Sequence, residues 1–369
     1  MIITDNESFI PPFNAKSKEF YTPHLVILGA GASKQSFPHG DKNNRILPIQ
    51  TEIMEIPGLK ENIKKHFLNE ISIAEVNIEL FFDSIYKTGN SEGISIIENI
   101  IREYFEEMLI CDEATIYDYL ILSLRGKDVI ASFNWDPLLS QAYRRVSKEI
   151  FNNLNAVYGS TIGIEQMKHI VPRLLFLHGN TGQGVCYKDK TEGFAGDKCG
   201  KCGNIYEKVK LLYPISQKNY SQNAFIESQW NLFTETLNEV FILTIFGYSA
   251  PNNDSKAIDS IRNAWKFNKY KESNEVEIID IKGRDELRNV WKDFFLREHY
   301  KIHSDFKNSL MWYHPRRSCE AFGGAVLQNE PWKERPFKEE SNLKELVGQI
   351  MSMINEEINI SEVNPFSTS

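Results

Sequence analysis

The chain has 369 residues, 41% of them hydrophobic and 25% charged, with 42 basic against 50 acidic residues and a net charge of −8. That balance is ordinary for a soluble globular protein with one large core or two moderate ones, and it offers no global positive field for nucleic acid. No apolar run approaches the roughly 20 residues that cross a bilayer. The first residues lack the basic-then-apolar order of a signal peptide, and five cysteines, two of them in a C-x-x-C, suit a reducing compartment. The expected location is the cytoplasm.

Residues 1–20 are polar, carry Pro11-Pro12, and read as an N-terminal arm. Leu25-Val26-Ile27-Leu28 is then a short apolar run of the kind buried on both faces of a parallel sheet. It stops in Gly29-Ala30-Gly31-Ala32-Ser33, where two glycines two apart permit a tight turn and the close approach of a ligand. A helix starting near Ser33 would turn its free N–H groups toward a pyrophosphate. The third glycine of the usual dinucleotide fingerprint is missing, so a plain tight turn competes with this reading. Residues 37–48, rich in Pro, Gly and polar side chains, read as a loop long enough to cover a ligand.

From 51 to 125 the spacing of apolar residues is helical, most clearly at Ile97, Ile100, Ile101, Tyr104 and Phe105, which predicts a helical insertion after the first strand. Asp128–Phe133 is a second buried strand, ending in Asn134-Trp135-Asp136-Pro137. Asn134 and Asp136 thus stand at a strand's C-terminal end, where open α/β sheets bind ligands. An N-cap or Asx turn competes for Asp136. Arg173–Leu177 repeats the pattern and ends in His178-Gly179-Asn180; a structural histidine is the alternative to a catalytic one.

A Cys- and Gly-rich insertion follows at about 181–207, with Cys186 and the pair Cys199-Gly-Lys-Cys202. The two-residue spacer lets two thiolates meet one metal, so these three cysteines form a tentative zinc site, its fourth ligand open among Asp189, Asp197 and Cys319. Phe225–Glu239 has helical spacing. Val240–Phe246 is a strong strand ending in Gly247-Tyr248-Ser249. Glu275–Ile281 is the last strand the pattern supports, with Asp280 near its end, placed to accept ribose hydroxyls. Beyond it, 286–369 reads as a C-terminal extension with two helices around an aromatic, basic stretch, available for an oligomer or partner contact. The expected fold is α/β: a Rossmann-like parallel sheet with helices on both faces, within a domain spanning about 21–285.

In this order, Gly-Ala-Gly-Ala-Ser, Asn134-x-Asp136, His178-Gly179, Gly247-Tyr248-Ser249 and Asp280 resemble the sirtuin family, and in particular its divergent bacterial branch of sirtuin-like NAD hydrolases used in phage defence. The resemblance covers roughly residues 20–285. It implies that Gly29, Ala30, Gly31 and Ser33 hold the diphosphate of NAD+, and that Asn134 positions the nicotinamide ribose and a water. Asp136 would contact the carboxamide, His178 would be the general base, and Gly247, Ser249 and Asp280 would surround the adenosine half. Phe133 stands where the family has Gln, the family's lid signature is missing after Ser33, and only half of the paired C-x-x-C module is present. These departures bear on an acyl-lysine groove more than on NAD binding. The implied activity is cleavage of NAD+ to ADP-ribose and nicotinamide by a gated effector. The resemblance further implies a homo-oligomer and a partner, for instance a HerA-type DNA-translocating ATPase or another defence protein. The alternatives are an NAD-dependent protein deacylase and a non-catalytic NAD or ADP-ribose sensor or scaffold.

Overall fold

The computed structural model describes residues 13–14, 19–158, 164–213, 223–250, 255–270, 273–294, 300–327 and 331–360. Its strands are β1 (Phe13–Asn14), β2 (Glu19–Phe20), β3 (His24–Leu28), β4 (Val129–Ser132), β5 (Arg173–Phe176), β6 (Gln183–Cys186), β7 (Thr191–Phe194), β8 (Glu207–Lys208), β9 (Ile242–Phe246), β10 (Glu275–Ile279) and β11 (Tyr300–His303). Of the expected arm, the described part is a two-residue antiparallel pair, β1 with β2; the rest of 1–18 lies outside the described residues.

Six strands form one sheet in the order β11-β10-β9-β3-β4-β5, every neighbouring pair parallel. Counted along the chain, this is the doubly wound order 3-2-1-4-5-6, with its reversal between β3 and β9. The apolar run of β3 shows why both faces are covered. Val26 and Leu28 join one buried cluster, with the helices Leu59–His66, Ile78–Thr88, Ser91–Glu106, Ile116–Leu122, Leu138–Tyr158 and Leu343–Ile360. Leu25 and Ile27 join the other, with Ala224–Glu239, Ser255–Lys266 and Arg284–Trp291. Alternate side chains of one strand feed two cores. The fold is the expected Rossmann-like α/β sandwich, and the helical insertion after the first strand lies on the first of these faces. No described helix is long and apolar enough to cross a membrane.

Two expectations need correcting, and a third gains detail. The chain beyond 285 is not outside the sheet: β11 pairs in parallel with β10 from Val276↔Tyr300 to Ile279↔His303. Phe306, Trp312 and Phe337 belong to the first core. A boundary at 285 would fall between two adjacent strands. The helix after the glycine turn begins at Ala30, three residues before Ser33. The 181–207 insertion is a small antiparallel sheet of its own, in the order β7-β6-β8.

Candidate active site

Three loops meet at the point where strand order reverses. Gly29 donates its N–H to Phe246 O (3.0 Å), and Gly31 donates to Gly247 O (3.0 Å). A Cβ on Gly29 would lie 2.5 Å from Gly247 O, and one on Gly31 2.9 Å from Gly247 Cα. Gly247 has φ +59°, and a Cβ there would fall 2.1 Å from Ala32 N. The glycines are therefore required first by backbone meeting backbone. The first-turn N–H groups of Gly31 and Ala32 are taken by Gly247 O and Gly29 O, so they are not held in reserve for a phosphate.

From β4 and β5, Asn134 and His178 reach the same cavity, which has a volume of about 580 Å3, within the range of ligand sites. Gly29, Ala30, Gly31, Ser33, Asp136, Gly247, Ser249 and Asp280 also line it, so every residue of the expected nucleotide site faces one space. Leu47 and Pro48, the end of the stretch read as a cover, also line it, and Ile49, Gln50, Thr51 and Ile53 continue that wall. Lys34 in the helix after the glycine turn pairs with Glu52 in the 3-10 helix Gln50–Glu55 and ties this cover down.

The polar end of the cavity is a closed hydrogen-bond circuit. Asn134 Nδ2 donates to Gly29 O (2.9 Å), to Ser33 Oγ (2.9 Å) and, at 3.3 Å, to the Tyr117 hydroxyl. Since a backbone carbonyl only accepts, the amide nitrogen must face Gly29, which leaves Oδ1 to serve a ligand. Ser33 Oγ donates to Asp136 Oδ2 (2.7 Å), so its 2.6 Å contact with Tyr117 has the phenol as donor. With its proton and both lone pairs used, the Ser33 hydroxyl has no capacity for a diphosphate. It fixes Asn134 and Asp136 instead. Asp136 Oδ1 accepts from Leu138 N at 3.1 Å, the Asx-type turn that opens the helix Leu138–Tyr158. Burial raises the Asp136 carboxyl above its usual range, against the pull of Ser33 and the backbone. Burial likewise raises the Tyr117 phenol, with the Asp136 charge adding to the effect.

His178 is 5% exposed and set edge-on to Phe133, centroids 4.8 Å apart at 79°. Phe133 in turn stacks flat on Tyr248, at 4.3 Å and 2°. The residue in place of the family's Gln is thus a ring wedged between the imidazole and the loop after β9. Asp280 extends the ladder beyond β10, its N–H on His303 O (2.9 Å), and its carboxylate holds Lys282 N at 3.0 Å.

Apart from this cavity, the small sheet gathers Cys186, Asp189, Cys199 and Cys202 with their ligand atoms all within 4.8 Å of one another. The Cys186–Cys202 sulfurs are 3.6 Å apart, and Asp189 Oδ2 lies 3.7 Å from Cys186 Sγ and 3.3 Å from Cys199 Sγ. With Zn–S near 2.3 Å, a tetrahedral site needs sulfurs about 3.8 Å apart, so the donors fit zinc. Asp189 is the fourth member of the cluster. Asp197 pairs with Arg144, and Cys319 lies against Lys127 and Thr22 O.

Sequence reasoning missed Tyr117 and Asn180. Tyr117 is 84 residues from Ser33 and sits in a helix whose apolar spacing hides its polar end. Asn180 had a visible signal, a lone amide directly after His-Gly at a strand end.

No protein-family model matches the chain, and no curated protein matches it. Among solved structures, the chain is similar to one reported for the mechanism and regulation of Sir2 enzymes, at 13% identity over 93% of this chain and 95% of that one, with a TM-score of 0.35. It is also similar to a Sir2 homologue in complex with NAD, at 10% identity over 90% of each chain and a TM-score of 0.34. A mutant Sir2 homologue with ADP-ribose matches at 11% identity over 90% and 93%, with a TM-score of 0.36.

Proposed function

We propose that this protein hydrolyses the N-glycosidic bond of NAD+, releasing nicotinamide and ADP-ribose. The observation that carries the reading is the convergence of Asn134 and His178, from adjacent strand tips, on one cavity at the reversal of strand order. Breaking the bond between C1′ and the nicotinamide nitrogen sends its electron pair to the ring and builds cationic character on the ribose. Asn134 Oδ1 is free to accept from a ribose hydroxyl or a water, because its nitrogen is held by Gly29 O. The Asp136 carboxyl lines the same cavity, held by Ser33 and Leu138 N–H, and can take the carboxamide N–H. As water attacks C1′, its proton passes to the His178 imidazole. Gly247, Ser249 and Asp280 are assigned to the adenosine half, with Asp280 accepting the ribose hydroxyls.

Purified protein, alone or with the partners that copurify with it, is expected on incubation with NAD+ and chromatography to release nicotinamide without any acylated peptide. Asn134→Ala and His178→Ala are each expected to lower kcat by about 100-fold or more. Full activity in both variants would refute the assignment, and strict dependence on an acyl-lysine peptide would move it to a deacylase.

The Cys186, Asp189, Cys199 and Cys202 cluster is assigned a structural zinc, which supplies cross-linking to the small sheet. One zinc per chain is expected by metal analysis, lost in Cys199→Ser. The resemblance adds a cytoplasmic, gated role in phage defence, with self-assembly and a HerA-type ATPase as partner. Copurification from the host and NAD+ levels during phage challenge test these.

A further inference from the structure

Asn180 stands behind the cavity rather than in its lining, and it is 1% exposed. The hydrogen-bond ladder between β4 and β5 ends with Leu177 N–H on Ser132 O at 2.9 Å. Past that point the carbonyls of Asn134, Trp135 and Asp136 need other donors, and residues 180 and 181 supply all three. Asn180 Nδ2 donates to Asn134 O (3.2 Å) and Asp136 O (2.5 Å). The Thr181 N–H and hydroxyl both donate to Trp135 O, at 2.9 and 3.0 Å. Asn180 Oδ1 accepts from Ser140 Oγ (3.2 Å) and Gly182 N (2.9 Å), so both donors and both lone pairs of this amide are used. Gly179, at φ +77°, lets the chain reverse between His178 and Asn180, and a Cβ there would meet Lys210 O at 2.6 Å.

We infer that Asn180 is a positioning residue: by spanning the carbonyls of Asn134 and Asp136 it sets the separation of the Asn134 amide and the His178 imidazole across the cleft. A misplacement of about 1 Å between reacting groups can cost about 100-fold in rate. The kinetic consequence rests on the hydrolase reading; the geometric one does not.

Asn180→Asp keeps the size and the Oδ1 bonds but turns a carboxylate oxygen toward two carbonyls. Its kcat for nicotinamide release, per folded molecule as measured by thermal unfolding, is expected to fall about 30- to 100-fold, with KM for NAD+ within about twofold. Thr181→Val keeps its N–H and is expected to lose less. In substrate-free protein carrying ring-13C histidine, the His178 resonance, assigned by its loss in His178→Gln, is expected to shift in Asn180→Asp while the other histidines stay. Unchanged kcat in folded Asn180→Asp, or an unmoved His178 resonance, overturns the inference. If wild-type protein releases no nicotinamide, alone or with the partners that copurify with it, the hydrolase reading fails by itself, and the histidine spectrum still decides whether Asn180 sets the geometry.

Discussion

The same sheet carries two polar assemblies, and they are finished in opposite ways. At the strand tips, Asn134, Asp136 and Ser33 satisfy one another on one side and leave an acceptor facing a cavity on the other. Within the sheet, a chain of groups crosses three strands and is capped at both ends. Thr244 Oγ1 donates to Glu277 Oε2 (3.1 Å), so His24 Nε2 must donate to Thr244 (2.8 Å), and His24 Nδ1 accepts from Ser318 Oγ (2.8 Å). Leu310 N–H caps Glu277 Oε1 at 2.9 Å. Both assemblies are buried and hydrogen-bonded, so burial and polarity alone do not distinguish a site from a brace. What distinguishes them is one acceptor left over, facing a space.

The comparison breaks most visibly at the glycine contact. Gly247→Ala puts a methyl 2.1 Å from Ala32 N and is expected to cost more than about 3 kcal/mol in denaturant unfolding, removing the cleft with the stability. Next comes acid. Burial lowers the His24 pKa from 6.5 to about 4, with Asp128 and Glu277 opposing. The unfolded chain takes up this proton first. The stability tied to a neutral His24 is therefore whole above about pH 6.5 and declines toward pH 4, by about 3 kcal/mol; unfolding at stepped pH reads it, and a flat profile across that window would contradict a sealed seam. Thr244→Val leaves His24 and Glu277 each short of a partner. It is expected to cost about 1–3 kcal/mol with kcat per folded molecule unchanged, whereas Asn134→Ala loses turnover. A fall in kcat for Thr244→Val would merge the two assemblies into one. Smallest is Lys34→Ala: its pair with Glu52 has the lysine half exposed, so a stability change under about 1 kcal/mol is expected, with a weaker KM as the sign that the cover over the cavity has loosened.

Five of the six main strands were legible because parallel strands covered on both faces are mostly apolar, as at Leu25–Leu28 and at Ile242–Phe246 around its one threonine. The edge strand β11, Tyr-Lys-Ile-His, has a partner on one side and carries charge, so its four residues give no run to read. The small sheet hid for a similar reason: Gln-Gly-Val-Cys and Thr-Glu-Gly-Phe read as loop. At the site, polar residues directly after strands were legible by position, since strand ends in an open α/β sheet face one crevice. What each side chain holds was not. The Ser33 hydroxyl is consumed by partners 84 and 103 residues away, and nothing in its local sequence signals either.

The small sheet that carries the cysteine cluster leaves and rejoins the main chain almost at one point. Leu212 N–H bonds His178 O at 2.9 Å, and Val209 N–H bonds Gln183 O at 3.4 Å, so its two stems are zipped together beside His178. Closure entropy grows only with the logarithm of loop length. A short turn or a longer appendage grafted between those stems would therefore burden folding little. The position is a natural port, where one attachment can be exchanged for another while the cleft at the strand tips stays as it is.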